Sequence, residues 1–517
     1  MQEMGEIVGK SSKSQMVSEE EVLDSISSLP DSVLIHILSF LPIQDAVRTV
    51  VVRRFSHLWN FLTNLTFDHS WYSANYERPE DCFHVNENFL NFVRHVLMFH
   101  QNKTINKLVL KLDLDLRYFN GAKPLHPLLH PEYFNREKRM AREVDSWVHF
   151  AMRKEVKYLD LVFFTPRYYV EPNARYRLPS VVFRGKYLEE LKLVGCEIIP
   201  PSGGRIELNC LKRLVMESVV VNDEMIKQIL SGCFVLEELS LEFCYGLSKL
   251  NFRNPSIKRL KVFHHNNTER LEISCPNIES LDISGCANLV DLANVSSVVD
   301  FSIAFIWGLE DSQEHQTIKQ HFNKLSGANI FRPCARCILV FSGWQLLNQP
   351  SQLFRWKNLE FKLCPSKWYQ PGISCLLRSS LCLETLAIYM CTECEPIEPL
   401  VECKWMESYD FDGAKFWKLQ QGTFHCLEKN LKSIKIYGHI TEPYVIDMIE
   451  FLLKNAMVLE KLEISTHKTF GPSPKNSCCE RKVELTTEQR QEFSQKLFSL
   501  PRASTSDPFF LILHPAS

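Results

Sequence analysis

Two Cys-x-x-Cys pairs are the best candidates in the sequence for a redox or metal site: Cys334 with Cys337, and Cys391 with Cys394. Close thiols of this kind serve redox chemistry or, when four ligands meet, a structural zinc ion. The pairs stand 54 residues apart, which is outside the common zinc spacings. Cys403 adds a thiol to the second pair, but no histidine stands nearby. We therefore expect buried thiols, with no metal and no cofactor.

No other catalytic arrangement is indicated. The segment 202–205 (SGGR) has the glycines of a phosphate-binding loop but lacks its Gly-Lys-Ser/Thr ending, so it predicts a turn. No Ser/His/Asp set and no paired carboxylates stand out. The sequence predicts a binding protein, not an enzyme.

The composition excludes several classes of partner. A net charge of -2 gives no basic footprint for nucleic acid or an anionic membrane, and no apolar run reaches the length of a membrane span. The 18 cysteines are spread singly, mostly after apolar residues or glycine, as reduced, buried thiols are. We expect the protein in the cytoplasm, the nucleus or both. Residues 1–22 lack the apolar core of a signal peptide and predict a disordered tail.

The elements that must position any binding residues come from an internal repeat. Hexapeptides of the type Leu-x-x-Leu-x-Leu begin at five positions: Leu188, Leu211, Leu236, Ile257 and Ile278. Their spacings of 23, 25, 21 and 21 residues fall in the window of roughly 20–29 residues that is typical of leucine-rich repeats. A single repeat cannot bury its apolar face, so stacked repeats form a curved solenoid with a continuous core.

The segment 225–244 is the clearest repeat. Asn222 can cap its helix, and Gly232 can end the helix in the left-handed conformation. Three leucines of the following strand are expected to point inward: Leu236, Leu239 and Leu241.

In each repeat strand the middle side chain points away from the core. These positions form a candidate target-binding face, since solenoids commonly bind through such a face. Its members are Lys192, Val215, Ser240, Lys261, Glu272 and Asp282. The charges are mixed, so they do not indicate a ligand class, and plain solvation of these side chains is the alternative.

Elsewhere, helix and strand patterns alternate. Before the repeats, 89–99 and 139–152 predict helices, and 105–116 and 156–163 predict strands. After the repeats, the expected elements are a helix at 316–325, a strand at 337–341, repeat strands from Asn358 and Leu383, a strand–helix–strand unit over 431–464, and a helix that Thr486 and Gln489 could open as a capping box.

The stretch 24–59 packs three short helical patterns between Leu-Pro stops. Leu29-Pro30-Asp31 opens the first, Leu41-Pro42 separates it from the second, and the third contains Phe55, Leu58 and Trp59. A unit of about forty residues is marginal by itself. We therefore expect a partner protein to cover its apolar surface.

This stretch resembles an F-box of the kind found in plant proteins that continue into leucine-rich repeats. The matching positions are Asp24, Ile26, Leu29, Pro30, Leu34, Ile37, Leu38, Leu41, Pro42, Asp45 to Thr49, Leu58 and Trp59. The family usually has six residues between this Thr and a Trp, whereas here five separate Thr49 from Phe55. One missing residue turns a helix by about 100°.

The C-terminal part resembles the FBD domain, which follows the repeats in many of these plant proteins. The resemblance rests on the strand–helix–strand unit and on a later Pro-Arg-Ala-Ser at 501–504. Together the resemblances imply an α/β chain: a tail at 1–22, a three-helix F-box at 23–70, a leucine-rich-repeat solenoid at 88–400 and a strand–helix FBD domain at 411–517.

The resemblance also implies a function, that of the non-catalytic substrate-recognition subunit of an SCF-type ubiquitin ligase. The F-box would bind a Skp-type adaptor, and through it a cullin, while the repeats recruit a target protein. The implied adaptor-binding residues are Leu29, Pro30, Leu34, Ile37, Leu41, Pro42 and Val47. A second hypothesis is an F-box/leucine-rich-repeat scaffold without ligase work, and a third is an enzyme that uses the Cys-x-x-Cys pairs.

Overall fold

A computed structural model describes most of the chain in two compact units, residues 1–109 and 110–517. The described residues are 26, 28–72, 81–113, 131–164, 175–199, 206–263, 269–285, 289–305, 312–349, 352–364, 366–390, 411–422, 424–438, 440, 442–465, 487–504 and 509–512. Predictions for residues 1–22, 202–205, Cys391, Cys394, Cys403 and Thr486 lie outside them.

Two short α-helices open the first unit, α1 (Asp31–Leu38) and α2 (Ile43–Arg48). Each follows a proline in extended conformation, Pro30 or Pro42. The carbonyl of Pro30 accepts the first backbone hydrogen bonds of α1, from the N–H groups of Val33 and Leu34. Proline suits the position before a helix because the N–H group that it lacks would have no hydrogen-bond acceptor within the helix.

The third helix of the sequence prediction is not an α-helix. Two 3-10 turns take its place, Thr49–Val51 and Leu58–Phe61. The intervening backbone continues with i→i+3 bonds, for example from Phe55 N to Val52 O at 2.9 Å. Three consecutive valines at 50–52 disfavour an α-helix here, because β-branched side chains crowd the preceding turn.

Later elements of the first unit pack against the segment that follows these helices. After them come β1 (Asn64–Asp68), a 3-10 turn (His69–Tyr72), α3 (Asp81–Phe99) and β2 (Lys107–Asp113), which crosses the unit boundary. The buried Trp59 ring stacks on His95 of α3, with centroids 5.9 Å apart, and His100 Nε2 lies 2.9 Å from Leu62 O. Part of the support that the sequence assigned to a partner protein therefore comes from this chain.

The second unit alternates strands with helices or loops. Its helices are α4 (Pro131–Arg153), α5 (Asp223–Gly232), α6 (Ser312–Lys324), α7 (Ala335–Leu346), α8 (Tyr369–Ser379), α9 (His425–Lys429), α10 (Pro443–Asn455) and α11 (Thr487–Ser499), with 3-10 turns at Ser180–Arg184 and Trp417–Leu419. Its strands are β3 (Tyr158–Phe164), β4 (Tyr176–Arg177), β5 (Glu190–Val194), β6 (Cys196–Glu197), β7 (Arg213–Glu217), β8 (Glu238–Glu242), β9 (Lys249–Phe252), β10 (Arg259–Phe263), β11 (Arg270–Ser274), β12 (Ser280–Gly285), β13 (Val290–Ala293), β14 (Asp300–Phe305), β15 (Ile330–Pro333), β16 (Asn358–Leu363), β17 (Thr385–Met390), β18 (Ser433–Gly438), β19 (Lys461–Ser465) and β20 (Phe509–Ile512).

A long parallel sheet joins these strands. Within the second unit its order is β3-β5-β7-β8-β10-β12-β14-β15-β16-β17-β18-β19-β20. A three-stranded sheet, β13-β11-β9, and a two-stranded one, β4-β6, lie beside it. The mixed α/β architecture predicted from the sequence is confirmed, and the repeat leucines such as Leu214, Leu239 and Leu260 are buried.

The residue just before many strands of the long sheet is charged. Its charge alternates in sign from one strand, or rung, of the sheet to the next. The series runs Lys157, Glu189, Lys212, Glu237, Lys258 and Glu279. From Glu189 onward, the backbone N–H of each of these residues donates to the carbonyl of the preceding one, as in the 2.8 Å bond from Glu237 N to Lys212 O. Lys212 Nζ lies 3.1 Å from Glu189 Oε2. Opposite charges on neighbouring rungs favour this register of the strands.

Helix α7 corrects the strand expected at 337–341. Every residue from Cys337 to Gly343 is buried, so the segment shows no amphipathic period, and a short apolar run cannot be assigned by periodicity alone. The strand of this repeat is β15, just before it. The predicted helix at 316–325 is confirmed as α6.

Gly232 is also used differently from the expectation. It is the last residue of α5 and has no left-handed backbone. A Cβ at this position would stand 2.9 Å from the carbonyl oxygen of Ile206, so the glycine permits close packing. The cap at the other end is confirmed, since Asn222 Oδ1 accepts from Met225 N at 2.9 Å.

None of the helices among the described residues combines the length and the apolar character needed to cross a membrane.

Candidate interaction surfaces

The first candidate surface lies on the two N-terminal helices and the turn after them. We call it the N-terminal apolar surface and define it by its exposed apolar side chains: Val33, Ile37, Phe40, Leu41, Val50, Val51 and Val52. Phe40 is 75% exposed and Val51 87%. So many large apolar side chains on one short segment are typical of an interaction site.

The inward face of the same helices is formed by other residues. Leu34 and Leu38 of α1 pack inward together with Ile43 and Ala46 of α2, and all four are buried. The ion pair between Arg54 Nη2 and Asp31 Oδ1 measures 2.6 Å, and the same guanidinium nitrogen donates to Leu29 O at 3.0 Å. These bonds fix the turn that leads into α1.

The residues predicted for adaptor binding are divided between the two faces. Ile37 and Leu41 are 39% and 42% exposed, and Pro30 and Pro42 are exposed as well. Leu29 and Val47 are half-buried.

Leu34 is fully buried in the core of the module, so it can support adaptor binding only from behind the surface, and its part in binding stays a prediction. The sequence prediction missed Phe40 and Val51, because neither lies on the apolar stripe by which the helices were recognised. The sequence feature that could have identified them is a large apolar residue at a helix position outside the apolar stripe.

The second candidate surface is a row of side chains on the long sheet of the second unit. Backbone pairing places Lys192 beside Val215, Val215 beside Ser240, Ser240 beside Lys261 and Lys261 beside Asp282. We call these five residues the outer row. The repeat spacing therefore predicted their alignment from strand to strand correctly.

Glu272 does not belong to the outer row. It lies on β11 in the three-stranded sheet, where it pairs with Asn251 of β9 and Asp291 of β13. The sequence did not show that the repeat beginning at Ile257 contains two strands, β10 in the long sheet and β11 in the three-stranded sheet. Glu272 instead accepts a hydrogen bond from Asn251 Nδ2 at 2.7 Å.

The outer row has its own internal electrostatics. Lys261 Nζ lies 3.2 Å from Glu242 Oε2 and 3.9 Å from Asp282 Oδ2, and Ser240 Oγ donates to Glu242 Oε1 at 2.9 Å. Desolvation raises the pKa of Asp282, although Lys261 opposes that shift. The row thus presents a compact group of opposite charges together with Glu242, a neighbour on β8 that the sequence prediction missed.

The same side of the sheet continues beyond the predicted residues. Ser302 pairs with Asp282, and Arg332 pairs with Ser302. Arg332 forms ion pairs with Asp300 and with Glu360, the latter at 3.2 Å.

Further along the long sheet, the rings of Tyr389 and Tyr437 stack at 5.1 Å. Tyr437 OH donates to Glu463 Oε1 at 2.7 Å, which lowers the pKa of that carboxyl. Aromatic and charged side chains are therefore neighbours along this side of the sheet.

The first Cys-x-x-Cys pair lies at the start of α7, where the Sγ atoms of Cys334 and Cys337 are 3.5 Å apart. Among the residues that the structure describes, no three His, Cys, Asp or Glu side chains are grouped so as to hold a metal ion.

Comparison with known proteins gives these surfaces a context. Residues 120–327 match the family model described as the LRR domain of At1g61320/AtMIF1, and residues 420–464 match the FBD model. The second match covers α9, β18, α10 and β19. The chain therefore contains one segment that matches a leucine-rich-repeat domain and another that matches an FBD domain. The outer row lies on its leucine-rich-repeat sheet.

Relatives from Arabidopsis thaliana carry the same combination in their names. The putative F-box/LRR-repeat protein At3g18150 is 24% identical over 463 residues, which are 86% of this chain and 87% of the relative. The F-box/FBD/LRR-repeat protein At1g13570 is 25% identical over 457 residues, 86% and 91% of the two chains. The F-box/LRR-repeat protein At3g59200 is 30% identical over 292 residues, 54% and 49%. The resemblance to the plant F-box/FBD/leucine-rich-repeat family is confirmed, and the two helices at the N-terminus fit an F-box.

Proposed function

We propose that this leucine-rich-repeat and FBD protein is a substrate-recognition subunit of an SCF-type ubiquitin ligase. Its N-terminal apolar surface binds a Skp-type adaptor and, through it, a cullin. Its repeats hold a target protein near the ubiquitin-charged enzyme, so it works by raising effective concentration and not by bond chemistry. The observation that carries the proposal is the exposed apolar surface on helices that fit an F-box.

Exposing the N-terminal apolar surface to water costs free energy. Large apolar side chains in water gain roughly 25 cal/mol per Å² when a partner buries them. Phe40 and Val51 are the most exposed members, while the inward face is already filled by Leu34 and Leu38. A partner that covers the surface gains this energy without rearranging the core.

The target is proposed to bind at the outer row, with Lys192, Ser240, Lys261 and Asp282 as its predicted contacts. Ser240 is buried and contributes through its hydrogen bond to Glu242. The support is their alignment on consecutive rungs of one sheet. Glu242 is added because it holds Lys261 in place. The proposed location is the cytoplasm, the nucleus or both, as the sequence indicates.

The double change Ile37→Asp with Leu41→Asp tests the adaptor surface. Both side chains are exposed, so the change should leave the fold intact and weaken adaptor binding by at least about 100-fold, since buried contacts at an interface are often worth 2 kcal/mol or more each. The measurement is co-elution with a co-expressed Skp-type adaptor on a sizing column, followed by titration of the purified proteins. The matched control is Met98→Asp, an exposed methionine of α3, which should bind like the wild type.

The proposal would be contradicted if the wild-type chain were soluble but did not bind the adaptor. The second hypothesis, a scaffold without ligase work, is favoured by the two 3-10 turns that replace the third F-box helix. A complex that contains the adaptor but excludes every added cullin would support this scaffold role.

A further inference from the structure

The amino end of α7 brings two thiols together. Cys334 is the residue immediately before the helix, and Cys337 lies in its first turn. Cys334 Sγ donates to Cys337 Sγ across 3.5 Å, which is close to van der Waals contact. Cys334 is partly exposed, whereas Cys337 is fully buried. The Cys334 thiol is therefore accessible to a reagent in solvent, and the Cys337 thiol lies next to it in the interior.

The surrounding backbone fixes this geometry. Ile303 O on β14 accepts from Cys334 N at 3.0 Å and from Cys337 Sγ at 3.7 Å. Helix α7 is in turn fastened to α8, since Ser342 Oγ accepts from Gly372 N at 2.8 Å and donates to Trp368 O at 2.6 Å. Strand β14 thus holds the two cysteines directly, and α8 holds the helix that carries them.

We propose that Cys334 and Cys337 form a reversible thiol–disulfide site, with Cys334 as the attacking thiol and Cys337 as the resolving thiol. The amino end of a helix favours negative charge, and cysteines there are commonly reactive as thiolates. Cys-x-x-Cys spacing places both sulfurs on one helical turn. The co-substrate is a low-molecular-weight disulfide.

The reaction takes two exchange steps. The Cys334 thiolate attacks one sulfur of the small disulfide, forms a mixed disulfide and releases the first small thiolate, which takes up a proton. The Cys337 thiolate then attacks Cys334 Sγ, breaks the mixed disulfide and releases the second small thiolate. Two electrons and two protons pass from the protein to the small disulfide. Excess small thiol reverses both steps.

Two other cysteines of the repeats lack the access that Cys334 has. Cys196 and Cys244 are both buried, so neither is exposed to a reagent. Burial raises the pKa of each to about 12, so both stay as unreactive thiols at neutral pH. Cys210 has the opposite property, because it is exposed. Access and a neighbouring thiol are combined at Cys334.

The test uses the full chain and oxidised glutathione as the probe. The protein is reduced, freed of reductant, incubated with the probe, blocked with a maleimide and mapped by mass spectrometry. The expected result is a Cys334–Cys337 disulfide that forms at least about tenfold faster than glutathione adds to Cys210 and that disappears on reduction. Absence of this bond, or equal reaction at Cys210 and Cys334, would overturn the proposal.

Two variants separate the roles of the thiols. Cys337→Ala, which keeps a small apolar side chain in the core, should stop the reaction at a glutathione adduct on Cys334. Cys334→Ser should leave Cys337 unmodified, because its sulfur is buried, and Cys210→Ser is the matched control that still forms the disulfide. A stable glutathione adduct on Cys334 in the wild-type chain would show that Cys337 does not resolve it. If a variant fails to fold, the wild-type mapping decides the question.

Discussion

Single side chains join neighbouring repeats, and Asp223 is the clearest example. It stands in the first turn of α5, and its carboxylate accepts three hydrogen bonds from the next repeat. The donors are Ser248 N at 2.9 Å, Ser248 Oγ at 2.7 Å and Lys249 N at 2.9 Å. A charge near the amino end of a helix also complements the helix dipole. One residue therefore ties α5 to the start of β9.

We expect Asp223→Ala to lower the free energy of unfolding by about 2 kcal/mol, because bonds to a charged group are worth more than neutral ones and two backbone donors lose their acceptor. Urea unfolding followed by circular dichroism measures the change. Lys227→Ala, at an exposed position of the same helix, should change stability by less than about 0.5 kcal/mol. Equal losses in the two variants would contradict the role given to Asp223.

At the scale of elements, the contact between α7 and α8 depends on one glycine. A Cβ added to Gly372 would lie 2.1 Å from the carbonyl oxygen of Ile338 and 2.7 Å from Ser342 Oγ. Both helices are buried over most of their length, so neither can move aside at low cost. The closeness of these helices is also what places Cys334 and Cys337 on a rigid support.

Gly372→Ala should therefore destabilise the second unit by about 1–3 kcal/mol, the usual cost of overpacking a well-filled core. Thermal unfolding followed by circular dichroism gives the measurement. Gly327→Ala is a matched control, since no atom lies within 4 Å of its added Cβ. Should the two alanine variants melt at the same temperature, α7 and α8 do not approach as closely as described.

Across the whole molecule, buried thiols predict how stability depends on pH. Burial raises the pKa of Cys233 from 9.0 to about 12, and those of Cys196, Cys244 and Cys426 likewise to about 12. Above pH 9 the unfolded chain loses these protons while the folded chain keeps them. Proton loss then favours the unfolded state, so stability is complete below this pH and declines as pH rises.

Each such thiol should remove about 1.4 kcal/mol of stability in total between about pH 8 and pH 10, with the slope steepening above pH 9. Urea unfolding at several pH values from 8 to about 10, with reductant present, tests the slope. The Cys233→Ala variant should show a shallower decline than the wild type, although its stability at pH 7 is lower. An identical slope in both proteins would mean that the Cys233 thiol ionises equally in the folded and unfolded states.

Local pattern determined much of this protein. The leucine spacing predicted the repeat strands and the alignment of Lys192 with Ser240, Lys261 and Asp282, because a period of two residues and a constant repeat length place equivalent side chains on one side of a sheet. The cap at Asn222 and the helical patterns beside the Leu-Pro stops were likewise readable, since both depend on neighbours within one turn.

Tertiary structure decided the rest. Residues 337–341 form a helix that is buried on all sides. Such a helix has apolar residues on every face, so its sequence lacks the alternation of apolar and polar residues that would identify it. Placement of Glu272 depended on strand pairing between residues far apart in the chain. The same is true of Leu34 and Ile37: both fit one apolar pattern, and only packing made the first a core residue and left the second exposed.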